Sequence, residues 1–180
     1  MRKSIIGIVA IVTSIALSGC GSTNSDNEQT KKNIDINEIQ SEVAKAYGDD
    51  YIPSYEFDEE YIKDVFGLSK DLYDEIIAEG PKVSFNIDTF IAVKAKEGKG
   101  EEVYKILSDY RESQINDAMQ YPTNAIKIQA SDVSVYGDYV FFTCLGVISE
   151  ESQNEGDEAI LDEAKQDNKI AVDIIKGFFE

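Results

Sequence analysis

The sequence predicts an α+β fold, with helices packed on a small, mainly antiparallel sheet in the order α-α-α-β-α-β-β-α. Three observations predict it. Apolar residues recur at helical spacing from about residue 34 onward; the runs TFIAVKAK and YVFFTCLGV have the β-branched and aromatic content of strands; and the chain closes on a long helical stripe. Of the 180 residues 42% are hydrophobic and 10% aromatic, enough for one domain with its own core and too short for two.

The first twenty residues, MRKSIIGIVAIVTSIALSGC, are read as a processing signal rather than as part of the fold. Arg2 and Lys3 form a basic start, Ile5 to Leu17 an apolar run short of the roughly 20 residues that span a bilayer, and Leu17-Ser18-Gly19-Cys20 a lipobox. Residues 1–19 are expected to be removed and Cys20 to carry lipid as the new N-terminus. Residues 20–33, the lipidated cysteine followed by small polar residues without apolar periodicity, read as a flexible stalk. Residues 34–180 are expected to form a single extracytoplasmic domain.

Within that domain Asp35 can cap a first helix carrying Ile36, Ile39, Val43 and Ala46 or Tyr47 on one stripe, stopped by Gly48. After a loop around Pro53, Asp58 caps a second helix with Tyr61, Ile62, Val65 and Phe66 inward, ended by Gly67. Ser69 can cap a third, in which Leu72, Tyr73, Ile76 and Ile77 share a face and Gly80-Pro81 forbids continuation.

A first strand is expected over Thr89–Lys96, where Ile91, Val93 and Ala95 alternate with Ala92 and Lys94. Gly98 and Gly100 turn into what reads as the longest helix, with Val103, Ile106, Leu107, Tyr110 and Ala118 on its stripe, ending before Tyr121-Pro122. Ile126, Ile128 and Ala130 alternate as in a strand, and the phase slips to Val133 and Val135, which places a bulge or break near Ser131-Asp132. Gly137-Asp138 has the composition of a two-residue hairpin turn into a strand that is apolar on both faces, central or covered on both sides. Residues 149–157 read as an acidic loop or extended turn. Ile160, Leu161, Ala164, Ile170, Ala171, Ile174, Ile175 and Phe178 supply the inward face of a last helix. Whether the first strand runs parallel or antiparallel to the hairpin stays open.

Charge and composition exclude several functions. Loss of Arg2 and Lys3 from the 17 bases leaves 15 against 35 acids, a net charge of −20 after processing. Such a surface lacks the basic footprint that nucleic acid requires and is repelled by anionic lipid, so the membrane partner is reached through the lipid on Cys20 alone. With no histidine, Ser-His-Asp and Cys-His catalysis and the usual zinc sites are absent. The second cysteine, Cys144, sits in an apolar strand and reads as a small buried hydrophobe.

The lipobox leader, the short amphipathic helices, the Thr89–Lys96 strand, Met119-Gln120-Tyr121-Pro122 and the Tyr136-Gly137-Asp138-Tyr139-Val140 hairpin together resemble the bacterial lipoproteins carrying domain of unknown function 4358, over roughly Ile36 to Val147. The resemblance implies a lipoprotein on the cell membrane, at the extracytoplasmic face of a Gram-positive-type bacterium. It implies no activity and supplies no catalytic residues.

No catalytic, cofactor-binding or metal-binding residue is assigned. Asp58, Glu59 and Glu60 could offer paired carboxylates for glycoside cleavage, but among 35 acids such clusters are expected on any solvated helix face. The acidic runs at Glu150-Glu151 and Asp157-Glu158 could gather calcium but lack a calcium-loop pattern, and Asp157-Glu158 fits the acidic first turn of the last helix. Tyr47, Tyr51, Tyr55 and Tyr61, grouped around the Pro53 loop, are the candidate binding surface, since tyrosine offers rigid contact area with a polar tip. They could equally pack the helix linker onto the sheet, and Tyr110-Arg111 and Tyr121 admit the same two readings. The leading expectation is therefore a membrane-tethered, non-enzymatic binding or interaction module for a cell-surface protein or glycan. The alternative is a carboxylate-dependent hydrolase acting on cell-wall or glycan material; a two-lobed solute-binding lipoprotein is ranked last because the chain is short.

Overall fold

A computed structural model describes residues 33–82, 85–117 and 119–180. The signal, Cys20 and the stalk up to residue 32 lie outside the described residues, as do Val83, Ser84 and Ala118. Ile34–Glu180 forms one compact unit.

In chain order its elements are α1 (Ile36–Tyr47), β1 (Tyr55–Glu56), α2 (Glu59–Phe66), β2 (Tyr73–Gly80), β3 (Thr89–Ala95), α3 (Gly100–Ile115), α4 (Pro122–Lys127), β4 (Asp132–Tyr136), β5 (Tyr139–Cys144), α5 (Glu150–Glu155) and α6 (Asp157–Gly177). The five strands form one sheet in the order β1-β2-β3-β5-β4, and every pairing is antiparallel. The α+β class is therefore as the sequence predicts, and the orientation of β3 against the hairpin is settled as antiparallel.

Alternation along the two central strands builds a core on each face. Phe90, Ala92, Phe141 and Leu145 pack with Ile36, Ile39 and Val43 of α1 and Ala171 and Ile175 of α6. Ile91, Val93, Val140, Phe142 and Cys144 pack with Ile62 and Phe66 of α2 and Val103 and Leu107 of α3. The β5 strand is covered on both sides, which is why its sequence is apolar throughout. Cys144 is free and buried, and burial pushes its thiol up to about 12, so it stays an inert thiol.

The helix starts read at Asp35 and Asp58 are present. The Asp35 side chain accepts the Asn37 N–H at 2.8 Å, and Asp58 accepts the Tyr61 N–H at 2.8 Å. Gly67 closes α2 in the left-handed conformation, φ 78°.

Four expectations are corrected. The segment expected as a third helix is the strand β2. Opposite Tyr73 and Glu75 the partners are Ala95 and Lys94, so β2 carries an extra residue at Asp74. That bulge places the apolar residues of an extended chain at spacings resembling a helix. The alternation at Ile126, Ile128 and Ala130 belongs to α4 and a 3-10 turn over Ile128–Ala130, not to a strand. Pro122 occupies the first turn of α4, where its missing N–H costs nothing. The Arg111 guanidinium then donates to the carbonyls of Gln129 and Ser131, and the chain becomes a strand at Asp132. Residues 150–155 are the helix α5, because the Ser149 hydroxyl accepts the Ser152 N–H. Finally, α6 with 21 residues is longer than α3 with 16. The two-residue strand β1 carries too little periodicity to be read in advance.

Candidate functional site

Two places bring chemistry-bearing side chains together: a buried ion pair and an open aromatic groove. In the first, Asp88 at the approach to β3 is 1% exposed and Lys127 at the end of α4 is 6% exposed. Lys127 Nζ donates to Asp88 Oδ2 at 2.5 Å and to the Gly146 carbonyl at 2.5 Å, while the Gly146 N–H donates to Asp88 Oδ1 at 3.0 Å. Beside it the buried Asn168 of α6 accepts the Leu145 N–H and donates to the Ala130 carbonyl. Both carboxylate oxygens are engaged and the pair is closed to solvent, so this is a clamp joining β3, α4, the exit of β5 and α6. In the sequence Lys127 is only a polar residue between Ile126 and Ile128; the helical course of α4 turns it inward.

The groove also borders the α4 segment, which contributes Asn124 to its lining. It encloses about 900 Å³, towards the upper end of the roughly 300–1,000 Å³ common in small-ligand sites. Of its 19 lining residues seven are aromatic and four are carboxamides, in a chain that is 10% aromatic overall. Its wall is built by β1 and α2. Phe57 stacks on Tyr61 with centroids 4.3 Å apart and planes at 7°, and Tyr55 and Phe66 meet Phe57 edge-on. Phe66, Tyr110 and Phe142 continue this edge-to-face series into the core. The outer rings stay open to solvent: Tyr55 is 51% exposed, Tyr61 41% and Tyr121 64%, with Met119 beside them at 89%.

Gly80 makes this wall possible. A Cβ there would stand 2.3 Å from Cζ of Phe57, so the ring lies across the strand where any side chain would exclude it. Gly80→Ala is expected to cost about 1–3 kcal/mol by overpacking and to part the Phe57–Tyr61 stack. Ring-proton NMR shifts of Tyr61 check this, and unchanged shifts would show that Gly80 does not seat the pair.

The structure divides the four tyrosines singled out from the sequence. Tyr47 and Tyr51 belong to the other face: Tyr47 Oη donates to the Asp167 carbonyl at 2.6 Å and Tyr51 Oη to Glu79 Oε2 at 2.8 Å, and both rings pack beside α1. Burial raises both phenols well above the ordinary tyrosine value, with the nearby Glu79 adding to it at Tyr51. Tyr55 and Tyr61 line the groove. The sequence reading missed Phe57, because alternation in a two-residue strand gives no pattern, and left Tyr110 and Tyr121 undecided. Their convergence depends on the antiparallel return of β2 and on α4.

The groove's ionisable side chains, apart from tyrosine, are Asp58, Lys82 and Asp117. Asp58 caps α2, and Asp117 accepts the Met119 N–H at 2.9 Å; both are exposed. The carboxyls raised by burial, Asp88, Asp132 and Asp167, do not line the groove. At Asp88 the effect of burial is partly offset by Lys127, and at Asp167 it is reinforced by Glu163. Among the described residues no group of three or more acidic or cysteine side chains could hold a metal ion, and no helix is long and apolar enough to cross a membrane.

Residues 46–145 match a protein family described as Domain of unknown function (DUF4358), a span of more than half the chain that contains every residue lining the groove. No curated protein and no solved structure matches the chain.

Proposed function

The chain belongs to the DUF4358 family, and from that premise we propose that it is a lipid-tethered, non-enzymatic binding module whose site is the aromatic groove. The observation that carries the reading is the concentration of seven rings and four carboxamides around one cavity of about 900 Å³ inside the family's span. Large apolar rings with a few placed polar groups form the lining expected of a ligand site. A hydrolase using carboxylates alone needs an acid kept protonated by its surroundings. The carboxyls that burial raises stand elsewhere, and the two carboxyls at the groove cap backbone N–H groups.

The tether is read from Leu17-Ser18-Gly19-Cys20, which supports a position at the extracytoplasmic face of the cell membrane, and the family resemblance adds a Gram-positive-type bacterium as the source. Cys20→Ala is expected to abolish lipid labelling and to release the chain or leave its precursor uncleaved. Membrane fractionation checks this, and unchanged labelling in the variant would remove the tether. For the site, pull-downs of cell-surface material by the full chain are expected to lose their partner when Tyr121 is replaced by Ala. Recovery of shortened glycan in place of a bound partner would favour the hydrolase.

A further inference from the structure

We propose that the groove takes a neutral oligosaccharide, an inference that rests on the groove being the binding site. A sugar ring offers an apolar face of C–H groups bordered by hydroxyls that both donate and accept. Its receptor therefore combines exposed rings with side chains of the same dual capacity, and this groove has both.

The rings are Tyr55, Tyr61 and Tyr121, all substantially exposed, with Tyr61 held flat by its stack on Phe57. The dual side chains are the carboxamides, and the existing bonds of three of them leave complementary valences. Asn86 is already taken up by Asp88, since its Oδ1 accepts the Asp88 N–H at 2.7 Å and its side chain also bonds the Asp88 carboxyl. Asn124 uses its amide nitrogen on the Phe85 carbonyl at 2.8 Å, leaving its oxygen. Gln120 Nε2 donates to Gln114 Oε1 at 3.3 Å, leaving the oxygen of the first and the nitrogen of the second. Deeper in, burial first, and Tyr61 second, raise the Tyr110 phenol, so its hydroxyl remains a neutral group at the groove floor.

Charge selects the class of sugar. Only three of 19 lining residues carry an ionisable acid or base, against 29% charged residues in the chain, so the groove has little with which to pair an ionic ligand. The formal net charge of −18 repels anionic polymers from the whole surface. The volume exceeds what one sugar unit requires, which favours a short oligomer.

The test is an NMR titration of the full chain with three probes at millimolar concentration: the β-linked tetramer of N-acetylglucosamine, a tetramer of galacturonic acid as its anionic counterpart, and a proline-rich apolar peptide. The neutral tetramer is expected to shift resonances of Tyr61, Gln114, Tyr121 and Asn124, with the anionic tetramer shifting none of them. Tyr121→Ala and Asn124→Ala, both at solvent-accessible positions, are each expected to weaken that binding about tenfold, the equivalent of about 1.4 kcal/mol. Native-like spectra of these variants separate lost binding from lost folding. If the peptide shifts the groove and the neutral tetramer does not, the sugar assignment is overturned while the groove remains the site. If no probe shifts the groove and Tyr121→Ala still captures cell-surface material as the parent chain does, both the assignment and the site are overturned.

Discussion

Lys127→Met is expected to lower folding stability by about 3–5 kcal/mol at neutral pH, the range found when one partner of a buried ion pair is removed. The cost comes from what is left behind. Asp88, 1% exposed, would keep only neutral donors, the Gly146 N–H and the Asn86 side chain, and its charge would face the interior with no cation. The Gly146 carbonyl would lose its ammonium donor as well. Urea denaturation of the variant checks the magnitude. Asp88→Asn in the same background is expected to restore much of the loss, because the amide carries no charge and its oxygen can still accept the Gly146 N–H.

The pH dependence has a definite sign. Burial, partly offset by Lys127, already raises the Asp88 carboxyl above its ordinary value. A carboxyl raised in the folded state contributes stability that is present below its unfolded pKa and lost as pH rises through its folded one. Removing Lys127 removes the largest influence opposing burial, so Asp88 rises further. The deficit of Lys127→Met relative to the parent chain is therefore largest at neutral pH and shrinks as pH falls towards the ordinary aspartate range. A deficit independent of pH would show that Asp88 is not the orphaned charge.

Gly100→Ala is expected to destabilise by about 3 kcal/mol, the upper range of overpacking penalties. In an exposed helix interior the same change stabilises by up to about 1 kcal/mol, so the prediction reverses the ordinary sign. The reason is contact with backbone, which cannot rotate away. A Cβ at position 100 would lie 1.9 Å from the Gly137 carbonyl oxygen and 3.1 Å from Asp138 Cα. That turn is anchored to the same corner, since Asp138 accepts the Gly98 N–H on its side chain and the Ala95 N–H on its carbonyl. The start of α3 and the β4–β5 hairpin therefore move together or clash. Faster hydrogen exchange in the hairpin should accompany the stability loss, and a neutral or stabilised variant would show that the turn is not seated on α3.

Legibility followed how local the determining interactions are. Capped helices with one clear stripe, α1 and α2, and the hairpin at Gly137-Asp138 were readable because their start, stop and turn signals lie within a few residues. The β2 strand was not, because its bulge at Asp74 appears only when β3 pairs beside it. The α4 segment was not, because Ile126, Ile128 and Ala130 fit two periods and the deciding contacts, Arg111 to Ser131 and Lys127 to Asp88, come from elsewhere in the chain. The candidate site was half legible. A binding role for tyrosines near Pro53 could be raised from composition, but Tyr47 and Tyr51 turn to the α1 face while Tyr55 and Tyr61 turn to the groove.

By itself, then, the sequence determined the α+β class, the coverage of β5 on both faces, the burial of Cys144 and the acidic, histidine-free surface that excludes whole classes of chemistry. These depend on composition and short-range periodicity, which survive without knowledge of partners. Tertiary structure alone decided that Phe57, Tyr61, Tyr110 and Tyr121 share one cavity and that Lys127 is an interior cation. Those outcomes depend on strand register and on side chains separated by tens of residues, and no local pattern encodes a meeting between segments that only the folded sheet brings together.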